Sequence, residues 1–223
     1  MYFVSESHKL ICSVSEKCNS VGVGKMFLEY IGELQKALDY HPWIHRYLHN
    51  VYMPKHRFPN HSLLSHYTKI KFVRCPYDRF VSIFLHMLKH KIIQNISFRQ
   101  FVKTFHQLRR KHVTLSSHSH VQTDHFHWDY IVHIENMNNE VNQSELKEFK
   151  FNVSHTSSHW SRPSHKGSDQ CVSDVTRYED LRVAYPCFYD KEIRRNVEKY
   201  YRHDLENFGY TYEQFLSRWK EAV

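Results

Sequence analysis

The chain has 223 residues, a formal charge of +8 and 41% hydrophobic side chains, with only five Gly and six Pro. That is enough chain to bury one core, and too apolar and too poor in Gly and Pro for a disordered or fibrous protein. The charge predicts an anionic partner without naming it: nucleic acid, a nucleotide, a sulfated or phosphorylated sugar and a membrane surface all satisfy it. Twenty histidines add further positive charge toward pH 6.

The opening stretch MYFVSESHKLICSVSEK is too polar to read as a signal peptide. No segment approaches the roughly 18 apolar residues of a membrane-spanning helix. The cysteines (Cys12, Cys18, Cys75, Cys171 and Cys187) are odd in number and form no C-x-x-C pair, so neither a disulfide framework nor a zinc ribbon is predicted. The expectation is a soluble protein, cytoplasmic or in another reducing compartment, with no membrane segment.

In chain order, KLICSV at 9–14 predicts a short buried strand, followed by a loop at 15–22. Met26, Phe27, Tyr30, Ile31, Leu34 and Leu38 then recur at helical spacing. Residues 40–66 mix His, Pro and aromatics and predict short helices and loops. KIKFVR at 69–74 is a second strand, and PYDRFVSIFLHMLKHKI a helix with Pro76 at its favoured first position. ISFRQFVKTFHQLRRK predicts another helix, 113–127 a polar His-rich loop, DYIVHIEN at 129–136 a third strand, and NNEVNQSELKEF a helix. Residues 152–176 predict a long loop, and DKEIRRNVEKYYRHDLENFGY a final long helix stopping near Gly209.

Alternating strands and helices predict a single α/β domain over 1–223, with a mainly parallel sheet and helices on both faces. In such sheets ligands lie beyond the carboxyl ends of the strands. The 15–22 loop and Arg74 both fall at such ends, so they are expected to face one crevice.

Each stretch has the chemistry of an anion site. SEKCNSVGVGK places a lysine, hydroxyls and a helix N-terminus after a strand, the parts that cradle a phosphate. It is not a nucleoside-triphosphate loop of the form G-x-x-x-x-G-K-[S/T]: Asn19 stands at the first Gly position and Met26 where the magnesium-binding hydroxyl belongs. Arg74 can donate two parallel hydrogen bonds to a phosphate, with Ser82 on the first turns of the next helix. The competing reading is a strand-end arginine paired with Asp78.

The string VRCPYDRFVSIF resembles the 3′-phosphate motif of Golgi-type carbohydrate sulfotransferases (sulfotransferase family 2), V-R-D-P-Y-x-R-h-x-S-x-[YF], where h is apolar. Val73, Arg74, Pro76, Tyr77, Arg79, Ser82 and Phe84 match, and Cys75 replaces the usual aspartate. The family's 5′-phosphosulfate loop, P-K-x-[G/A]-[S/C/T]-[S/T], aligns with Lys17, Cys18, Asn19, Ser20 and Val21. Ser15-Glu16 stand in place of its proline, Asn19 in place of a small residue and Val21 in place of a hydroxyl residue; Lys25 is the alternative cation. HSHVQTDHFHWDYIVHIEN is similar to a third block, with His118, Gln122, Asp129, Tyr130, Glu135 and Asn136 in register and Val121 replacing a proline. The carboxyl end resembles the family's terminal helix through Tyr189, Glu192, Val197, Asp204, Phe208, Gly209 and Tyr210.

The resemblance, four blocks in order over about 9–210, implies a P-loop-like sulfotransferase fold. It implies sulfuryl transfer from 3′-phosphoadenosine 5′-phosphosulfate to a hydroxyl, expected to belong to a carbohydrate, with no metal required. Arg74 and Ser82 would hold the 3′-phosphate, and Lys17 through Val21 the phosphosulfate. A histidine is suited to take the acceptor's proton; the H-x-x-x-Q match points to His118, with His120 second. The other reading is a non-catalytic basic module for nucleic acid or a polyanionic glycan, for which QLRRKH at 107–112 is the densest basic cluster. His41, His45 and His49, and His86 and His90, recur at helical spacing but lack a nearby Cys or Glu in metal-ligand spacing, so no metal is expected.

Overall fold

Four strands form one sheet in the computed structural model, which describes residues 1–157, 172–176 and 184–220. They are β1 (Tyr2–Ser5), β2 (Leu10–Val14), β3 (Thr68–Val73) and β4 (Tyr130–His133), lying side by side in that order. β1 pairs antiparallel with β2, whereas β2–β3 and β3–β4 are parallel, so the sheet is mainly parallel. β1 is an addition to the three strands read from sequence. Its apolar run, Tyr2-Phe3-Val4, is too short to show a period, and pairing such as Phe3 with Cys12 decides it.

The helices follow in chain order: α1 (Ser20–Tyr30), α2 (Leu34–Tyr40), and the short α3 (His45–Tyr47) and α4 (Met53–Lys55), joined by a π-helical turn at Leu48–Tyr52. Then come α5 (Pro76–Lys89), α6 (Phe98–Lys111), α7 (Val113–His118), α8 (Met137–Gln143), the one-turn α9 (Ser154–Ser157), α10 (Lys191–Tyr200), α11 (Arg202–Phe208) and α12 (Tyr212–Lys220). Three predicted helices are each divided, the one over 138–149 at Ser144, which is extended between α8 and a 3-10 helix at Glu145–Phe149. The apolar period at 26–38 breaks at Gly32, whose φ of 74° ends α1. The terminal helix is interrupted at Tyr201 and stops at Gly209, where φ is 67°. Part of the predicted 113–127 loop is helical as α7, and the predicted loop at 152–176 lies largely outside the described residues.

By internal packing the chain forms two compact units, Met1–Val73 with His125–Trp160, and Arg74–Asp124 with Ser161–Val223. In the first, Leu10, Cys12, Val14, Ile70, Phe72 and Val132 carry one face of the sheet into a core with Val23, Met26 and Phe27 of α1. The opposite face is closed by Val4, Ile11, Leu64 and Tyr67, backed by Phe126 and Trp128. β2 is buried along its whole length, as a strand covered on both faces must be.

The K-I-K alternation of β3 has a local explanation in this unit. Lys69 is ion-paired to Asp129 at 2.8 Å, and the Lys71 ammonium lies 5.1 Å from the Trp128 ring centroid. Both lysines are thereby carried at buried positions.

The second unit is built on aromatic packing. Phe80 and Phe84 of α5 meet Phe98 and Phe101 of α6 with ring centroids 5.2–5.8 Å apart, and Phe188 and Tyr201 join the same core. Each such ring stabilises the fold by about 1.5–3 kcal/mol through its burial. α6 starts on a capping box in which Ser97 and Gln100 exchange hydrogen bonds.

Candidate active site

In the first unit β2 ends at Val14, and the chain turns before α1 begins. The turn closes with Cys18 N–H donating to the Ser15 carbonyl at 3.1 Å. Lys17 and Asn19 hold left-handed backbone, with φ of 63° and 58°. The Cys18 side chain is buried in the core and pins the turn to it. Val21 likewise packs against that core, so what Cys18 and Val21 can offer a ligand is backbone, not side chain.

Val23 N–H is the amide that bonds back to Asn19, at 3.0 Å. The amides of Ser20, Val21 and Gly22 precede it and belong to the first turn, which has no intrahelical acceptor to reach. A Cβ at Gly22 would stand 2.7–2.9 Å from the Asn19 side chain, so a larger residue there would have to displace that amide. Gly24 marks a close approach, since a Cβ there would meet the Leu48 side chain at 2.9 Å and that of Ile44 at 3.1 Å. That close approach seats His45 beside the helix start, with Nε2 3.4 Å from the Ser20 hydroxyl. Lys17 belongs to the turn itself, whereas Lys25 lies about 7.5 Å further along the helix axis.

In the second unit Arg74 is followed by Cys75, the N-cap of α5, and Pro76 opens that helix. Arg74 is half-buried. Its backbone is bracketed by one side chain: Gln122 accepts from Arg74 N–H at 2.7 Å and donates to the Arg74 carbonyl at 2.7 Å. Gln122 is fixed in turn by Asp204, fully buried on α11, whose two carboxylate oxygens each accept from Gln122 N–H at 2.8 Å. The same carboxylate accepts from Thr123 N–H at 2.7 Å and from the Thr123 hydroxyl at 2.9 Å. Three of the sequence blocks are therefore one hydrogen-bonded chain.

Asp78 does not act as the partner of Arg74 that the alternative reading supposed. It is buried, lies 3.0 Å from Arg218 and accepts from Trp219 Nε1 at 2.9 Å, both on α12. The Tyr185 phenol lies near enough to Arg74 and Ser82 for both to act on its proton affinity. Burial pushes the Tyr185 phenol up, and the positive charge of Arg74 partly offsets that rise. Sequence reasoning missed Tyr185 because it lies in an irregular stretch with no matching block.

Arg79 has a different task. It is fully buried, and its two terminal nitrogens donate to the backbone carbonyls of His120 at 2.7 Å and His118 at 3.0 Å. It thus fixes the turn that carries both candidate bases. His118 Nδ1 lies 2.8 Å from the Thr114 carbonyl, which can only accept, so the neutral ring carries its proton there and keeps the Nε2 lone pair. His86 stacks on it, with centroids 5.0 Å apart and planes 17° apart. His120 is exposed.

The basic cluster at 107–112 has a local use: Arg109, Arg110 and Lys111 form the last turn of α6, where positive charge complements the helix dipole. Among the described residues no group of three His, Cys, Asp or Glu is arranged to hold a metal ion, and no helix is long and apolar enough to cross a membrane.

Compared with known proteins, the chain matches the model of the sulfotransferase family over residues 1–211. No curated protein and no solved structure matches it. A match spanning nearly the whole sequence, on a mainly parallel α/β sheet, leaves one assignment: the chain belongs to the sulfotransferase family.

Proposed function

We propose that the protein transfers a sulfuryl group from 3′-phosphoadenosine 5′-phosphosulfate to a hydroxyl of a carbohydrate. The observation that carries this reading is the assembly around Arg74: its backbone clamped by Gln122, and its charge felt at the Tyr185 phenol, which Ser82 also approaches. The clamp fixes the backbone from which the guanidinium reaches, and a guanidinium can donate two parallel hydrogen bonds to a phosphate. Arg74 and Ser82 hold the donor's 3′-phosphate, with the Tyr185 hydroxyl as a third contact.

Lys17 and the backbone of Cys18 through Val21 hold the phosphosulfate, with the Ser20 hydroxyl beside them. As the acceptor oxygen attacks sulfur in line, the sulfur–oxygen bond to the 5′-phosphate breaks and charge grows on that phosphate. The Lys17 ammonium and the first-turn amides of α1 are suited to stabilise this charge. His118 Nε2 takes the acceptor's proton; the Nδ1 contact to Thr114 supports this role by fixing the tautomer, and His120 is the alternate. No metal enters these steps, and the polar loops of this family member are read as binding sugar, not nucleic acid.

Calorimetric titration with adenosine 3′,5′-bisphosphate tests the donor assignment. Micromolar or tighter binding that weakens at least tenfold for adenosine 5′-monophosphate is expected. Equal affinity for both nucleotides would remove the 3′-phosphate site.

A further inference from the structure

We propose that α12, which begins at Tyr212, beyond the family match to residues 1–211, positions the donor's 3′-phosphate site, and that its Trp219 sets the preference for a nucleotide carrying that phosphate. This rests on reading Arg74 and Ser82 as the 3′-phosphate site. Arg74 leads through the N-cap Cys75 into the first turn of α5, and α12 grips two successive residues of that turn. Phe215 is fully buried with its ring centroid 5.3 Å from that of Tyr77, and Tyr212 meets Tyr77 edge-on at 5.1 Å. Asp78, the next residue, is 1% exposed; Trp219 Nε1 donates to its carboxylate at 2.9 Å, and the Arg218 guanidinium lies at 3.0 Å. A carboxylate so far from water depends on such partners, so charge as well as packing ties the end of α12 to the start of α5.

Trp219 makes a second contact. Its ring centroid lies 5.1 Å from that of Tyr185, with the planes 33° apart. Tyr185 opens the 3-10 helix Tyr185–Phe188, and its phenol is the group near Arg74 and Ser82. One indole therefore touches both the helix start that follows Arg74 and the phenol close to it. Trp219 acts through these two groups, as a positioning residue. A binding site has to hold its donors to within about 0.5 Å, so a residue that fixes two of its supports together governs its selectivity. Trp219 is itself only half-buried, in the last turn of α12, so its replacement leaves Phe215 seated in the aromatic core.

The test is calorimetric titration of wild type, Trp219→Leu and Trp219→Phe with adenosine 3′,5′-bisphosphate and with adenosine 5′-monophosphate. A thermal melt of each protein establishes that it is folded at the titration temperature. Trp219→Phe keeps a ring for Tyr185 and loses the donor to Asp78, whereas Trp219→Leu loses both. Trp219→Leu should lower the ratio of the two affinities by about fivefold or more, by weakening the bisphosphate, and Trp219→Phe should lower it less. A merely structural role would lower the melting temperature and leave the ratio where it was. If Trp219→Leu keeps the wild-type ratio, the inference fails and the 3′-phosphate assignment stands. If the wild type itself binds both nucleotides equally, the 3′-phosphate assignment fails and takes this inference with it. Should Trp219→Leu be unfolded, Trp219→Phe decides alone: a ratio lowered by about twofold or more supports the inference, and an unchanged ratio overturns it.

Discussion

Gln122 grips the backbone of Arg74 from both sides, accepting its N–H and donating to its carbonyl at 2.7 Å each. The pair is 48 residues apart in sequence, and Asp204, a further 82 residues on, holds Gln122 in place. Replacing Gln122 with Leu strands two backbone groups of Arg74. Such a loss costs about 2–3 kcal/mol of unfolding free energy. Urea unfolding should show the midpoint falling, and calorimetry should show weaker binding of adenosine 3′,5′-bisphosphate. An unchanged midpoint would mean that the bracket does not form in solution.

The two arginines of the motif separate by readout. Arg79 is buried and spans two carbonyls, so Arg79→Ala should destabilise by about 3 kcal/mol or more. Arg74→Ala should leave stability within about 1 kcal/mol and weaken adenosine 3′,5′-bisphosphate by about 2 kcal/mol, with little effect on a nucleotide lacking the 3′-phosphate. Thermal melts and nucleotide titrations on the two variants together check this. Identical profiles would refute the division of labour.

Lys17 is placed in the turn before α1, where leaving-group charge would develop. Lys17→Ala should lower turnover more than nucleotide affinity, because that charge is greatest in the transition state. Lys25→Ala, a turn and a half inside the helix, should be the milder change. Steady-state kinetics on both variants decide the register; the reverse order of severity assigns the role to Lys25.

His118 is expected to act as base through Nε2. His118→Ala should cut turnover on the true acceptor by about 10² or more while donor affinity stays nearly constant. The wild-type rate should rise with pH as the imidazole loses its proton and then level off. His120→Ala, measured on the same acceptor, is the control. Should neither variant slow turnover with donor binding intact, the base lies elsewhere in the protein.

Much of this was legible in the sequence. The strand KLICSV, the Pro-initiated helix at 76 and the stop at Gly209 follow from local rules: apolar runs, the fixed φ of proline, and the left-handed freedom of glycine. The order of the motif blocks named the family, because motif residues are read one at a time without knowing where they meet. Their roles are another matter. Arg74 and Arg79 are chemically alike and five residues apart, and nothing local says that one is buried under two carbonyls while the other stands beside Tyr185. Likewise Asp78, a natural local partner for Arg74, is taken by Arg218 and Trp219, 140 and 141 residues away. Propensity and pattern are short-ranged and marked most of the elements, whereas β1 was decided by its pairing with β2. Burial and hydrogen-bond partners are long-ranged, and only the tertiary structure could allot them.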